Sequence, residues 1–232
     1  MLVPELVLLP GYVSPRFYSI LSLLGAPFMN ILQVISSPRG GASFSKKLGL
    51  GIIEKLQAAH PGSTVQVRDL ATHPFPHLEE AKLNALFTPA ENRTSQQQEA
   101  ARHSDDAIAE VMAADVLVVE APLYNFGIPS TLKAWIDHIV RAGQTFRYVD
   151  GRPEGLIKGK KVYVAVASGG VYSEGPMVSY DFVAPYLKTV FGFLGMTDLE
   201  VVRVEGTAIP GVQDTALEKA LASVHIGAAA TA

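Results

Sequence analysis

Apolar and polar residues follow two alternating periods along this chain. Short β-branched runs predict strands at residues 30–35, 64–70, 115–120, 159–167 and 199–204. Apolar residues at helical spacing predict helices at residues 43–60, 94–114, 181–194 and 213–224, and one that begins near Pro129 or Ser130. Strands joined by helical crossovers form a doubly wound parallel sheet, so the pattern predicts an α/β fold.

Local signals fix several helix ends and packing positions. Thr94 with Gln97 forms a capping box, and Gly195 follows the last position of its helix. The spacing assigns Trp135 to the core. It also predicts that Phe182, Tyr186, Val190 and Phe191 share the inward side of one helix. The Pro-containing stretch 71–93 is long for a loop, and such insertions tend to be lids or interface pieces.

The strand order follows from a missing motif. No Gly-x-Gly-x-x-Gly comes after the first strand, which argues against a dinucleotide-binding order. The alternative order, 2-1-3-4-5, has its topological switch between the first and third strands. The loops after strands one, three and four then converge on one crevice, and these are the chain's three unusual loops.

Each of these loops has both a functional and a bland interpretation. Loop 36–45 offers hydroxyls and free backbone N–H groups at a helix N-terminus, which suits a phosphate, but it could be an ordinary flexible cap. Loop 123–127 combines aromatic surface with backbone amides, which suits a planar conjugated ring, although its aromatics could simply fill the core. Loop 167–172 has paired glycines that permit a close backbone approach, as a plain turn would.

Composition limits the function classes. The chain has 232 residues, 48% hydrophobic and 18% charged, and a net charge of −3, so it has ample material for a core. No long basic run invites nucleic acid or an anionic membrane. The chain has no cysteine, so redox chemistry requires a bound cofactor, and a reducing cytoplasm fits this composition. The six histidines show no metal-ligand spacing, and prolines separate His73 from His77.

Residues 1–28 are apolar but interrupted by prolines and charges, in pieces too short to span a bilayer. We interpret them as an extension from a mis-assigned upstream start, disordered or docked on the surface, with Met29 as the functional beginning. A signal peptide is the alternative, although no basic cluster precedes residues 17–24. Residues 29–232 are then a single domain.

Four motifs resemble the FMN-dependent NADH-azoreductases, also called NADH:quinone oxidoreductases. They are APLYNFGIPSTLKAWID at residues 121–137, RAGQTFRY at 141–148, GLIKGKK at 155–161 and YLKTVFGFLGMTD at 186–198. The first two motifs are the most specific, and the resemblance runs from about Met29 to the last helix. It implies a flavodoxin-like homodimer that binds one FMN per subunit near the dimer interface.

The resemblance also implies a site. It places the FMN phosphate at Ser37, Ser43, Phe44 and Ser45, the flavin ring against Leu123, Tyr124, Asn125 and Phe126, and the ring edge near Ala167, Ser168, Gly169 and Gly170. Phe126, Tyr148 and Phe193 would cover nicotinamide and acceptor, partly across the dimer. Two departures stand out, since Phe44 replaces a polar residue of some relatives and Ala167-Ser168 replaces their Ser-Arg.

The implied reaction is ping-pong hydride transfer from NADH or NADPH through flavin N5 to a quinone or an azo compound. Each cycle transfers two electrons, so cleavage of an azo bond needs two cycles. The protein then supplies positioning rather than a nucleophile. An electron carrier without its own organic substrate and a non-catalytic signalling module are the alternatives. The sequence leaves open the choice between NADH and NADPH and the physiological acceptor.

Overall fold

The computed structural model describes residues 29–226, so the interpretation of residues 1–28 as an extension lies outside the described residues. The strands are β1 (Asn30–Ile35), β2 (Thr64–Asp69), β3 (Val116–Pro122), β4 (Phe146–Val149), β5 (Arg152–Gly155), β6 (Lys161–Ala167) and β7 (Asp198–Val204). The α-helices are α1 (Phe44–Ala59), α2 (Glu80–Phe87), α3 (Ser95–Ala113), α4 (Ser130–Ile139), α5 (Ala184–Leu194) and α6 (Gln213–Ala222). Short 3-10 helices occupy Gly40–Ala42, Ala90–Asn92 and Gly175–Tyr180.

The main sheet has five parallel strands in the order β2-β1-β3-β6-β7. Counted within this sheet, the order is 2-1-3-4-5, which confirms the predicted topology. The central strand β3 is buried along its whole length, as its β-branched run predicts. The strand β2 lies at the edge, where Val67 is 54% exposed.

The two faces of the sheet carry separate cores. On one face, which we call the Trp135 face, strand residues such as Leu117 and Val119 pack with Trp135 and with helices α3, α4 and α5. On the other, which we call the Glu120 face, Val116 and Val118 pack against α1 and α6. Successive side chains of a strand point to opposite faces, so neighbouring residues of β3 feed different cores.

Local signals set several helix ends as expected. Thr94 forms a complete capping box with Gln97 at the start of α3. Ser43 caps α1, and its side chain accepts a hydrogen bond from the Lys46 backbone N–H. Gly195 ends α5 in the left-handed conformation, with φ of 102°. Trp135 is fully buried, which confirms its assignment to the core.

Other elements differ from the sequence expectation. The antiparallel hairpin of β4 and β5 was not predicted, and stretch 71–93 contains the helix α2. The predicted helix 181–194 begins at Ala184, because the Asp181 carboxylate accepts hydrogen bonds from the backbone N–H groups of Val183 and Ala184.

Of the four residues expected on the inward side of α5, three pack inward and one does not. Phe182 precedes the helix and is 59% exposed, so its predicted inward position is wrong. Phe191 is buried, and Tyr186 and Val190 pack against the core of the Trp135 face. Within residues 29–226, no helix is both long and apolar enough to cross a membrane.

Candidate functional site

Three loops meet at the carboxyl ends of β1, β3 and β6, where they line a cavity. Such strand-end crevices at a topological switch are where open α/β sheets bind ligands. The lining residues are Ser37, Arg39, Ser43, Phe44, Ser45, Pro122, Leu123, Tyr124, Ala167, Ser168, Gly169 and Thr207. The structure thus brings together nine of the residues that the resemblance assigns to FMN, while Asn125, Phe126 and Gly170 lie outside the lining.

The first part of the cavity is a cradle of hydroxyls at the N-terminus of α1. Ser37, Ser43 and Ser45 are each at most 3% exposed. The hydroxyls of Ser43 and Ser45 lie 3.0 Å apart, and the Ser37 hydroxyl is 3.5 Å from that of Tyr124. The backbone N–H groups of Phe44 and Ser45 belong to the first helical turn and have no intrahelical acceptor. These donors and the helix dipole suit an anion.

Charge in the lining supports the same chemistry. Among the twelve lining residues, all within the described part of the chain, Arg39 is the only charged one. Sequence reasoning missed Arg39, although its place between Pro38 and Gly40 in the first loop was a signal. The Lys47 ammonium nitrogen lies over the Phe44 ring, 5.3 Å from the ring centroid. The Phe44 side chain has no hydrogen-bond donor, so Phe44 can offer a ligand only its backbone N–H.

The second part of the cavity is the aromatic loop after β3. The backbones of Tyr124 and Gly127 exchange two hydrogen bonds of 3.0 Å. Between them Asn125 and Phe126 have φ of 48° and 70°, as in a type I′ turn. A positive φ is costly for phenylalanine, and such strain occurs mostly at functional positions. The Leu123 N–H is bonded to the Ala167 carbonyl, which leaves Asn125 and Phe126 at the tip to offer donors.

The paired glycines of the third loop have a structural reason. A Cβ on Gly169 would lie 3.3 Å from that of Ala208, and a Cβ on Gly170 would lie equally close to the Tyr172 ring. The loop after β7 is hydrogen-bonded to this segment, with the Thr207 hydroxyl 3.0 Å from the Ser168 carbonyl. The glycines therefore permit close contact between two loops as well as a smooth cavity wall.

The three aromatics predicted to cover substrate fall into two groups. Phe126 is 41% exposed and packs against Tyr180, with ring centroids 5.5 Å apart. Tyr148 and Phe193 instead both contact Phe146, at 5.8 and 4.6 Å. The structure thus does not bring Phe126 together with the other two within one chain.

A buried carboxyl lies behind the cradle. Glu120 on β3 is fully buried, and its Oε1 accepts a hydrogen bond of 2.6 Å from the Gln33 side chain. Burial raises the pKa of Glu120 to about 7, and the Gln33 hydrogen bond opposes this shift. The sequence placed Glu120 at the end of a buried strand but gave it no role.

A metal site finds no support in the geometry. Across residues 29–226, no cluster of three or more His, Cys, Asp or Glu side chains is arranged to hold an ion. His73 and His77 are both exposed.

Comparison with known proteins extends this picture. Residues 29–226 match a family model described as having a flavodoxin-like fold. The chain is 48% identical, over 84% of its length and 94% of the relative's, to an "FMN-dependent NADH:quinone oxidoreductase" of Mesorhizobium japonicum. It is 54% identical, over 78% of its length and 89% of the relative's, to a protein of the same name from Aromatoleum aromaticum.

Solved structures agree with these matches. An azoreductase from Bacillus anthracis superposes with a TM-score of 0.76 at 31% identity, over 84% of this chain and 98% of the other. An FMN-dependent NADH-azoreductase of the same species, solved in complex with FMN, gives a TM-score of 0.75 at 28% identity, over 83% of this chain and 94% of the other. Fold and site thus define a flavodoxin-like protein. The chain belongs to the family of FMN-dependent NADH:quinone oxidoreductases.

Proposed function

We propose that this protein is an FMN-dependent oxidoreductase that transfers two electrons from NADH to quinones and to azo compounds. The observation that carries the proposal is that the hydroxyl cradle, Leu123 and Tyr124 of the aromatic loop, and Gly169 of the third loop line one cavity at the carboxyl end of the sheet. Membership of the family supports the cofactor and both substrate classes. The names of the relatives support NADH as the co-substrate.

The donor set of the cavity fits FMN. Its lining combines serine hydroxyls, a helix N-terminus and Arg39, and contains no acidic residue, which suits a phosphate. We assign the phosphate to Ser37, Ser43, Ser45 and the backbone N–H of Phe44. We assign the ring to Leu123, Tyr124, Asn125 and Phe126, and its edge to Ala167, Ser168, Gly169 and Gly170.

The protein residues contribute binding and orientation. When bound, FMN supplies the hydride and electron-transfer chemistry that no side chain of this cysteine-free chain provides. Leu123 and Tyr124 form one wall of the cavity beside the turn at Asn125 and Phe126, and the Tyr124 hydroxyl lies 3.5 Å from that of Ser37. We propose a ping-pong order, in which oxidised nicotinamide leaves before the acceptor takes the same place.

A homodimer completes the proposal. Tyr148 is 66% exposed and Phe126 is 41% exposed, and the two belong to separate aromatic groups within one chain. A second copy could bring Tyr148 and Phe193 over the site of its partner. Sedimentation equilibrium tests the assembly, and a strictly monomeric active enzyme would contradict it. We expect the enzyme in the cytoplasm, where NADH and reducing conditions occur, and cell fractionation tests this location.

Purified protein gives the decisive test of the activity. We expect a flavin absorbance spectrum, oxidation of NADH with benzoquinone, slower reduction of an azo dye, and parallel lines in double-reciprocal plots. Bound FMN without turnover would favour an electron carrier. Protein that stays colourless after incubation with FMN would exclude both functions.

One substitution tests the assignment of the cradle. Ser45→Ala removes a buried hydroxyl from the cradle, so we expect the Kd for FMN to rise about tenfold, the effect of losing one charge-assisted hydrogen bond. Riboflavin lacks the phosphate, and its Kd should not change. The exposed Ser130→Ala is the matched control. Equal losses for FMN and riboflavin would contradict the assignment.

A further inference from the structure

The Glu120 carboxyl lies against the helix whose N-terminus forms the cradle. Its Oε1 occupies the space that a Cβ on Gly49 would fill, so α1 approaches β3 closely at this point. Ser45 lies four residues before Gly49 and therefore on the same side of α1, one turn nearer the cavity. The Glu120 carboxyl of β3 and the cradle residue Ser45 therefore lie on the same side of α1.

The backbone of Glu120 also supports the first loop. The Ser36 hydroxyl donates a hydrogen bond of 2.5 Å to the Glu120 carbonyl, and Ser36 immediately precedes Ser37 of the cradle. The side chain has one hydrogen-bond partner, Gln33, whereas its Oε2 has none among the described residues. An unpaired buried oxygen costs less when the carboxyl is neutral than when it is ionised.

The charged groups around Glu120 oppose one another. Lys46 on α1 favours the ionised carboxylate, whereas Asp69 at the end of β2 disfavours it. The residues paired with Glu120 on the adjacent strands, Ile35 on β1 and Ala165 on β6, carry no charge. Burial is therefore the main cause of the raised pKa of Glu120, and within residues 29–226 no cation forms a direct ion pair with the carboxyl.

We propose that Glu120 is a positioning residue of the phosphate cradle, which supports FMN binding while it is protonated and weakens that binding when it ionises. The inference rests on the proposed function. An ionised Glu120 would add negative charge on the side of α1 that carries a cradle for a phosphate dianion, and salt screens such a buried charge weakly. By linkage, FMN binding must then draw a proton onto Glu120.

The test compares FMN with riboflavin between pH 6.5 and 8.5. For the natural protein we expect the Kd of FMN to rise about tenfold over this range, a typical coupling between two sites, and the Kd of riboflavin to stay constant. Titration of the phosphate itself, with a second pKa of about 6, would act in the opposite direction. A pH-independent FMN Kd, or an equal slope for riboflavin, overturns the proposal.

Two isosteric variants sharpen this test. Glu120→Gln keeps the shape and cannot ionise, so its affinity for FMN should be high and should not fall as the pH rises. Asp69→Asn keeps an acceptor for the backbone N–H groups of Ala71 and Thr72 but removes the charge that disfavours ionisation. We expect it to move the transition to lower pH. A Glu120→Gln protein with the natural pH slope overturns the proposal.

Proton uptake gives a readout on the unaltered protein, which decides the matter even where a variant fails to fold. Calorimetric titration with FMN at pH 7.5, in buffers of different ionisation enthalpy, should show net uptake of a fraction of a proton, and titration with riboflavin should show none. FMN binding without proton uptake would contradict the proposed role of Glu120 and leave the proposed function intact. A failure to bind FMN at any pH contradicts the proposed function instead.

Discussion

The two faces of the central sheet differ in the residues that their strands bury. On the Trp135 face the strand residues that point inward are apolar, as at Leu32, Leu117 and Val164. On the Glu120 face the apolar pattern is interrupted by the hydrogen-bonded pair of Gln33 and Glu120. The second face carries the helix that forms the cradle. The difference indicates that the strands contribute only apolar burial on the Trp135 face, whereas on the Glu120 face they bury a polar pair, at a cost in stability, beside the helix of the cradle.

The largest expected effect tests the first half of this comparison. Trp135→Ala removes the largest fully buried side chain of the Trp135 face, so we expect the free energy of unfolding to fall by about 4 kcal/mol. Urea denaturation measures this loss. The fraction that remains folded should keep the ratio between the Kd values of FMN and riboflavin, because the phosphate cradle is on α1, away from the Trp135 face.

The matched control is Met112→Ala, near the end of α3, where the side chain is 39% exposed. Met112→Ala should lower the free energy of unfolding by no more than about 0.5 kcal/mol. A loss below about 1 kcal/mol for Trp135→Ala would mean that the Trp135 face does not carry the stability that its burial implies.

The second prediction concerns the Glu120 face and the dependence of stability on pH. Folding raises the pKa of Glu120 from 4.5 to about 7. Between these values the unfolded chain releases a proton that the folded protein keeps, so this group makes stability fall as pH rises from 4.5 to 7. The total cost above pH 7 is roughly 3 kcal/mol, at 1.36 kcal/mol per unit of pKa.

Glu120→Gln should remove this cost. We expect the variant to exceed the natural protein in stability by roughly 3 kcal/mol at pH 8, and the gain to vanish near pH 4.5. Denaturant melts at several pH values measure it. Glu54→Gln, the same change at an exposed position of α1, should give no comparable gain. A gain in stability that does not depend on pH would show that titration of Glu120 is not its cause.

The contrast between the faces also explains what the sequence could predict of the fold. Apolar periodicity and local caps located the strands, the core position of Trp135 and the end of α5 at Gly195, because these depend on burial and on backbone geometry. The hairpin of β4 and β5 escaped prediction because Arg152 and Pro153 are exposed and show no alternating apolar pattern. The prediction that Phe182 points inward was wrong because the Asp181 carboxylate accepts a hydrogen bond from the Ala184 N–H and so sets the start of the helix beyond Phe182.

The site was predictable to a similar depth. Strand order brought the three loops together, since order alone determines which strand ends are neighbours. Thr207 was missed because the loop after β7 reaches the cavity only through its hydrogen bonds to loop 167–172. Glu120 was missed because one acidic residue at the end of an apolar run indicates a strand end, and the sequence does not show its contact with Gly49 of α1. The binding roles of the assigned residues remain predictions that the cofactor experiments test.

The smallest expected effect compares two helix caps, one on each face. Thr94 caps α3 through its capping box, and Ser43 caps α1 through the Lys46 N–H. Either change to alanine should lower the free energy of unfolding by about 1 kcal/mol. Only Ser43→Ala should also weaken FMN binding, since its hydroxyl lies 3.0 Å from that of Ser45 in the cradle. Equal FMN affinities for the two variants would show that the Ser43 hydroxyl serves the helix alone, and would leave the phosphate to the remaining donors of the cradle.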